Sequence, residues 1–493
     1  MNPMDYLNTT SGMITACIFF IIGILGVQIT HQRDTVKEQT QLFIVAYLAR
    51  ITMILIVYYG GLIEVLKDED SSGWVAGYVL YNDWVQAGYS IFSLPQAIIK
   101  YAQSQIAINS SLHFGYTVIL ATEFFVLSMP GRMTAAVLGA LVGSWIPVLA
   151  YRMSMQIFDN PKAARYVGWA LTFMPSLIVF SSQTLKEPIV VFIEVLCLYC
   201  CVQISQFRYR LRHIVALSVG LLMVYYMRFY VAYVIIGTLI MSLVIPPIFR
   251  SKFRNLFIAI GILISPLVFI VTYRSAISEL NQIQAEQARK LLANYSKGFG
   301  TSSNMQLSSN VENPFDITKT SQILPGLIFG LIHLMYAPFP WQIVKGSTRM
   351  ILTAPEMLWW YYNGSLLLYR GLREARKINP IEMLIPFIFC VPLLLFYALI
   401  FNNIGLAYRY RAQIFPELIL FISLGYHRVK VLKGMDSQVL TEEQFDDYSD
   451  QSIPKYPPLF GTNPARFGAN YTNTATIAPL AWSNQANRFR MRD

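Results

Sequence analysis

Residues 12–29 read GMITACIFFIIGILGVQI, without one charged side chain. A lipid interior offers the backbone no hydrogen-bond partner. An apolar run of about 20 residues therefore crosses it as a helix, which satisfies its own amides and carbonyls. Comparable runs follow at 42–66, 111–129, 134–150, 166–180, 188–204, 230–248, 256–273, 353–369, 381–401 and 412–426, with shorter ones at 214–226 and 323–338. The composition agrees. Of 493 residues, 55% are hydrophobic and 13% charged, about half the charge usual in soluble domains, and the mean hydropathy is +0.46. The expected fold class is all-α, a polytopic transmembrane helical bundle of about eleven to thirteen spans. The first run lacks a preceding basic segment and a small-residue cleavage site, so it reads as a retained span rather than a signal peptide.

The formal net charge of +11 is concentrated at the ends of these runs. Its clusters are Arg208–Arg210–Arg212–His213, Arg250–Lys252–Arg254, Arg373–Arg376–Lys377 and His427–Arg428–Lys430–Lys433. Short basic loops of this kind mark the cytoplasmic side of a membrane protein, and they account for the charge without a nucleic-acid partner. The five cysteines, Cys17, Cys197, Cys200, Cys201 and Cys390, fall inside apolar runs with no accompanying His or carboxylate cluster. They read as small packing residues rather than metal ligands or disulfides.

Three polar stretches interrupt the pattern. Loop 67–110 opens on Lys67-Asp68-Glu69-Asp70 and continues through Trp74, Tyr78, Tyr81 and Trp84; its residues 90–107 suit a helix lying in the membrane interface. Loop 274–322 passes from helical spacing into a Ser-, Gly- and Asn-rich segment. The tail 434–493 is too polar to bury a core, so a membrane domain over 1–433 and a disordered cytoplasmic tail are expected.

Placing 206–213, 249–254, 372–377 and 427–433 inside puts loop 274–322 and turn 401–411 outside. With 31–41 inside, loop 67–110 is outside as well. Three full crossings at 111–129, 134–150 and 166–180 then put turn 181–188 inside, whereas counting back from 208–212 puts it outside. The two counts differ by one crossing, so one segment between 111 and 187 lies in the interface or re-enters. The run 323–338 raises the same difficulty in the second half.

Charges at the membrane edge are costly and mark function. Asp68, Glu69 and Asp70 offer a general base to a hydroxyl at the membrane face. In the stretch Pro175-Ser176 to Ser181-Ser182-Gln183-Thr184-Leu185-Lys186-Glu187, Lys186 can neutralise a phosphate. Arg228, followed by Phe229-Tyr230, can clamp one bidentately. Arg409 and Arg411 fall on the outer side, against the positive-inside bias, which points to an anionic partner such as a lipid phosphate. Glu123 and Glu194 lie mid-run. Walker A, dinucleotide-binding and HExxH motifs are absent from the sequence.

Taken in order, these features resemble the GT-C membrane glycosyltransferases, in particular the bacterial relatives of protein O-mannosyltransferases that use polyprenyl-phosphate sugars. The resemblance runs through residues 42–426. Its carriers are Asp68–Asp70, Gly131-Arg132, the stretch Pro175 to Glu187, Arg228-Phe229-Tyr230, Pro338-Phe339-Pro340-Trp341, and Arg409-Tyr410-Arg411 before Pro416. It implies an inverting transfer of sugar from a polyprenyl-phosphate donor to an envelope glycan, lipid or protein on the outer face. Asp70 matches the family's base, with Asp68 in reserve, and Glu187 matches its second carboxylate. Lys186, Arg228, Tyr230, Arg409 and Arg411 match the phosphate-binding side. Two departures stand out. An additional span, 12–29, precedes the acidic loop, and Glu187 stands where the family has Asp, which argues against a divalent cation shared between the carboxylates.

Two other functions fit the same features, a polymerase or ligase acting on lipid-linked polysaccharide and a non-enzymatic flippase or transporter. On the leading expectation Asp70→Asn abolishes sugar transfer while membrane insertion is unchanged. A transfer assay on membranes with matched protein levels checks this, and full activity would remove Asp70 from the role.

Overall fold

The computed structural model describes residues 8–30, 35–62, 73–107, 114–250, 314–315, 320–343, 348–378, 382–400 and 404–432. Asp68, Glu69 and Asp70, the run 256–273, most of loop 274–322 and the tail from 434 lie outside the described residues. Among those described, every regular element is helical. In chain order they are α1 (Thr9–Thr30), α2 (Val36–Tyr59), α3 (Gly73–Gln86), α4 (Leu94–Ala107), α5 (Gly115–Leu127), α6 (Arg132–Phe158), α7 (Pro161–Thr172), α8 (Pro175–Ser181) and α9 (Glu187–Ser205). There follow α10 (Leu211–Tyr225), α11 (Phe229–Arg250), α12 (Thr320–Tyr336), α13 (Pro340–Ile343) and α14 (Thr348–Trp359). A π-helical turn, Trp360–Gly364, leads into α15 (Ser365–Ile378), and α16 (Leu384–Ile400), α17 (Ile404–Ala412) and α18 (Phe415–Leu432) complete the set.

Helix α6 is the hub, packing against α1, α2, α7, α8 and α9. Small residues make this possible. Among lipids no hydrophobic drive brings helices together, so close backbone approach at Gly, Ala and Ser supplies the contact instead. Gly139 and Gly143, one turn apart, admit the end of α8. A Cβ on Gly143 would lie 2.8 Å from Ser181 Cβ and 2.9 Å from Arg50 Nε.

Hydrogen bonds identify the two ends of the bundle. At one end Glu38 accepts from Tyr151 at 2.6 Å and from Arg165 Nε at 2.8 Å, while Arg152 donates to Gln39 at 2.7 Å and Thr30 at 3.0 Å. Gln206 Nε2 donates to the Gln156 carbonyl at 3.1 Å. The Tyr166 and Tyr426 rings lie 4.7 Å apart, and Arg428 pairs with Glu374 at 3.7 Å. The basic clusters at 208–213, 373–377 and 427–428 therefore gather at one end. At the other, Tyr59 donates to Thr9 at 2.6 Å, Asn8 to the Pro130 carbonyl at 3.2 Å, and the Gly115 amide to the Tyr226 carbonyl at 3.0 Å. Arg132 sits over the Tyr58 ring at 5.4 Å, and Tyr116 lies within electrostatic reach of both Tyr58 and Glu187.

That arrangement accounts for the missing crossing. The run 111–129 forms α5, whose 13 residues make about 20 Å of helix, short of the roughly 30 Å hydrocarbon core. Its start bonds Tyr226 and the Pro130 beyond its end bonds Asn8, so it returns to the end it left. The run 166–180 is also not one helix. It falls across α7 and α8, which are bent by 50° at Phe173–Met174. From the basic end, α7 and α8 together climb toward turn 182–186, and α9 descends again.

Among the described residues four helices, α1, α2, α6 and α9, are long and apolar enough to cross a membrane, and the bent pair makes five. Shorter apolar helices at 115–127, 211–225, 229–244, 324–336 and 384–399 occupy other runs. The run 353–369 is interrupted by the π-helical turn. Loop 67–110 contains α3, which packs on α5, and α4; Phe92, Ile99 and Ile106 stand exposed around α4. The long apolar helices are those of a multi-pass membrane protein.

The close approach at Gly143 sets a stability test. Gly143→Val forces its side chain into Ser181 and Arg50 and should cost about 1–3 kcal/mol, lowering the melting temperature of the detergent-solubilised protein. Gly237→Ala, where an added Cβ meets nothing within 4 Å, should leave that temperature unchanged or raise it slightly.

Candidate functional site

At the end opposite the basic clusters, three helix junctions bring charged residues together. Glu187 begins α9, where the helix dipole favours a carboxylate, and Pro188 follows at a position that needs no amide partner. Arg228 occupies the joint between α10 and α11, its amide bonded to the Val224 carbonyl and its own carbonyl accepting from Val231. Arg409 comes from α17. Arg228 Nη2 donates to Glu187 Oε1 at 3.0 Å, and Arg409 Nη1 approaches the same oxygen at 3.7 Å. All three side chains are more than nine-tenths buried.

Aromatic rings wall this cluster. Arg228 Nη1 donates to the Tyr230 hydroxyl at 2.7 Å, and its guanidinium carbon lies 6.0 Å from the Tyr410 ring centre. Tyr410 stacks on Tyr397 at 4.2 Å, and Tyr230 packs against Phe396 at 4.8 Å. Tyr397 donates to Gln413, whose amide returns a bond to the Arg409 carbonyl at 3.3 Å. A buried charge needs an opposite charge and further hydrogen bonds. Glu187 meets that need for both guanidiniums at one oxygen. The result is a buried ion-pair cluster with flat aromatic walls that suit a guanidinium.

The structure brings together Glu187, Arg228, Tyr230 and Arg409 of the residues singled out in the sequence. Lys186 adjoins them, half-buried, and its carbonyl accepts from Ile189 and Val190 at the start of α9. Arg411 faces elsewhere. Fully buried, it donates to the Leu334 carbonyl at 3.1 Å and to the Ala337 carbonyl, and stacks over Tyr408 at 4.5 Å. There it satisfies carbonyls left open at the end of α12. Tyr361 bonds the Tyr336 and Pro338 carbonyls of the same corner. Asp68 and Asp70 lie outside the described residues.

Among the described residues no group of three or more His, Cys, Asp or Glu side chains has the arrangement of a metal site. A dication at Glu187 Oε1 would meet two guanidiniums within 4 Å, so these residues do not fit one.

Several buried charges escaped the sequence reading. Arg50, wholly enclosed in α2, donates to the Ala46 carbonyl at 3.0 Å. Glu356 accepts the Ser176 amide at 2.9 Å. Glu417 faces Glu194 in the core, where neither carboxylate has a hydrogen-bond partner among the described residues. Each lies within or beside an apolar run, and that interruption was the signal available.

No protein-family model matches the chain, and neither a curated protein nor a solved structure does.

Glu187→Gln removes the carboxylate that two buried guanidiniums share and should cost about 3–5 kcal/mol. Combining it with Arg228→Gln should cost less than the sum of the single changes, because the pair is removed together. Unfolding in mixed micelles measures both, and strictly additive costs would show the residues uncoupled.

Proposed function

We propose that the chain is a membrane glycosyltransferase of the GT-C type, moving a sugar from a polyprenyl-phosphate donor to an envelope glycan, lipid or protein. The observation that carries this reading is the convergence of Arg228 and Arg409, from distant parts of the sequence, on one buried carboxylate oxygen. Two guanidiniums brought together in this way match the oxygens of a phosphodiester, which carries one negative charge. The acceptor hydroxyl attacks the anomeric carbon as the bond from that carbon to the phosphate oxygen breaks, inverting the centre. The departing lipid phosphate gains a second negative charge, so the arginines hold it more strongly than they hold the donor. That difference lowers the barrier.

Glu187 in this scheme positions the arginines. The acceptor proton is assigned to Asp70, with Asp68 in reserve, on the sequence pattern alone, and no divalent cation is invoked. Since basic ends face the cytoplasm in membrane proteins, the site would open on the outer face of a cell membrane and the tail would be cytoplasmic.

A transporter or flippase is the second reading, favoured by Glu194 and Glu417, two enclosed carboxylates suited to carrying protons. The experiment separating the two uses protein in liposomes with a labelled polyprenyl-phosphate sugar and a mixture of glycan, lipid and peptide acceptors. Sugar transfer is expected, reduced about 100- to 1,000-fold by Arg228→Ala or Arg409→Ala and partly restored by Arg228→Lys. Movement of the donor across the bilayer without covalent transfer would replace this reading with the transporter.

A further inference from the structure

Two adjacent rings of α16, Phe396 and Tyr397, stand between the supports of Arg228 and those of Arg409. Phe396 packs against Tyr230, whose hydroxyl accepts from Arg228 Nη1. Tyr397 meets the same Tyr230 ring edge-on at 6.0 Å. Its own face lies against Tyr410, 4.2 Å away and within 6° of parallel, and the Arg228 guanidinium lies over that Tyr410 ring. Tyr397 is fully buried. Helix α12 holds α16 at this level, since their backbones meet at Gly330 and Ala398, where a Cβ on the glycine has no room.

The Tyr397 hydroxyl reaches Arg409 through one intermediate. Helix α17 ends at Ala412 in shortened turns. The Gln413 amide donates to the Tyr410 carbonyl at 3.2 Å, and the Ile414 amide to the Arg411 carbonyl at 2.9 Å. With its main-chain amide so engaged, Gln413 serves the Arg409 carbonyl through its side chain, Nε2 donating at 3.3 Å. A side-chain amide can present either its oxygen or its nitrogen. The Tyr397 hydroxyl donates to Gln413 Oε1 and so fixes the nitrogen toward Arg409. The same hydroxyl lies within hydrogen-bonding reach of Tyr230. Polar groups thus run from the Arg228 guanidinium through Tyr230, Tyr397 and Gln413 to the Arg409 main chain, with Tyr397 in the middle.

We propose that Tyr397 is a positioning residue, which joins the two arginines and fixes the spacing of their guanidiniums for the oxygens of a lipid phosphate. This rests on the phosphodiester reading of the site and adds the group that sets its geometry. Guanidiniums from separate helices grip one phosphate only at a set spacing, because charge-assisted bonds are directional and weaken with misplacement.

The test uses the full chain in lipid nanodiscs, with a fluorescent polyprenyl phosphate displaced by unlabelled polyprenyl phosphate or by polyprenol of equal length. Wild type should prefer the phosphate about 100-fold. Tyr397→Phe keeps the ring stack and removes the hydroxyl. The preference should fall to about 10-fold, with polyprenol affinity unchanged. Loss of a structural contact alone would weaken both lipids together. Tyr397→Phe/Gln413→Met removes both partners of the buried bond and leaves no amide unpaired, which covers the case in which the single variant misfolds. It should show the same fall. A phosphate preference that survives these changes, or equal weakening of both lipids, overturns the positioning role and leaves the phosphodiester reading standing. Equal affinity of wild type for the two lipids overturns that reading and the positioning role with it.

Discussion

A carboxylate enclosed in an apolar interior has to be neutralised where it stands, and Glu187 is neutralised by two arginines at once. That demand ties α9 to the joint before α11 and to α17, which are far apart in sequence. It also fixes the rings around them, because a guanidinium held against a carboxylate leaves its flat faces for aromatic packing. Tyr230, Tyr397 and Tyr410 occupy that space.

The scaffold serves this cluster through close approach at α6. Because Gly139 and Gly143 lack side chains, the end of α8 can sit against the middle of the hub. The chain then turns at 182–186 and starts α9 with Glu187 already at the correct end. The 50° bend between α7 and α8 parts the helices enough to leave an aromatic groove.

Arg409 and Arg411 illustrate how neighbouring like charges acquire different work. Arg409 shares Glu187 with Arg228, while Arg411 closes the Leu334–Ala337 corner and sits near Glu356. On α17 two residues apart means roughly opposite faces, so the two side chains enter separate environments. Sequence spacing alone grouped them together as phosphate ligands. Glu417 and Glu356 show the reverse. Their neighbours come from other helices, so no local pattern announced them.

The sequence by itself determined the helical class, because apolar runs of such length leave the backbone no other way to satisfy its hydrogen bonds. It also marked Glu187, Arg228 and Arg409, since a charge beside an apolar run is conspicuous wherever it falls, and Tyr230 as an aromatic neighbour of Arg228. Which runs are bent or too short to cross was legible only in three dimensions. Hydropathy does not record that α5 begins and ends on one side, or that 166–180 bends at Phe173; those depend on which hydrogen bonds the helix ends find. Which charges meet was likewise settled by tertiary structure. Pairing buried charges is a property of helices brought side by side, and here Arg228 and Arg409, from distant parts of the chain, share one Glu187 oxygen atom.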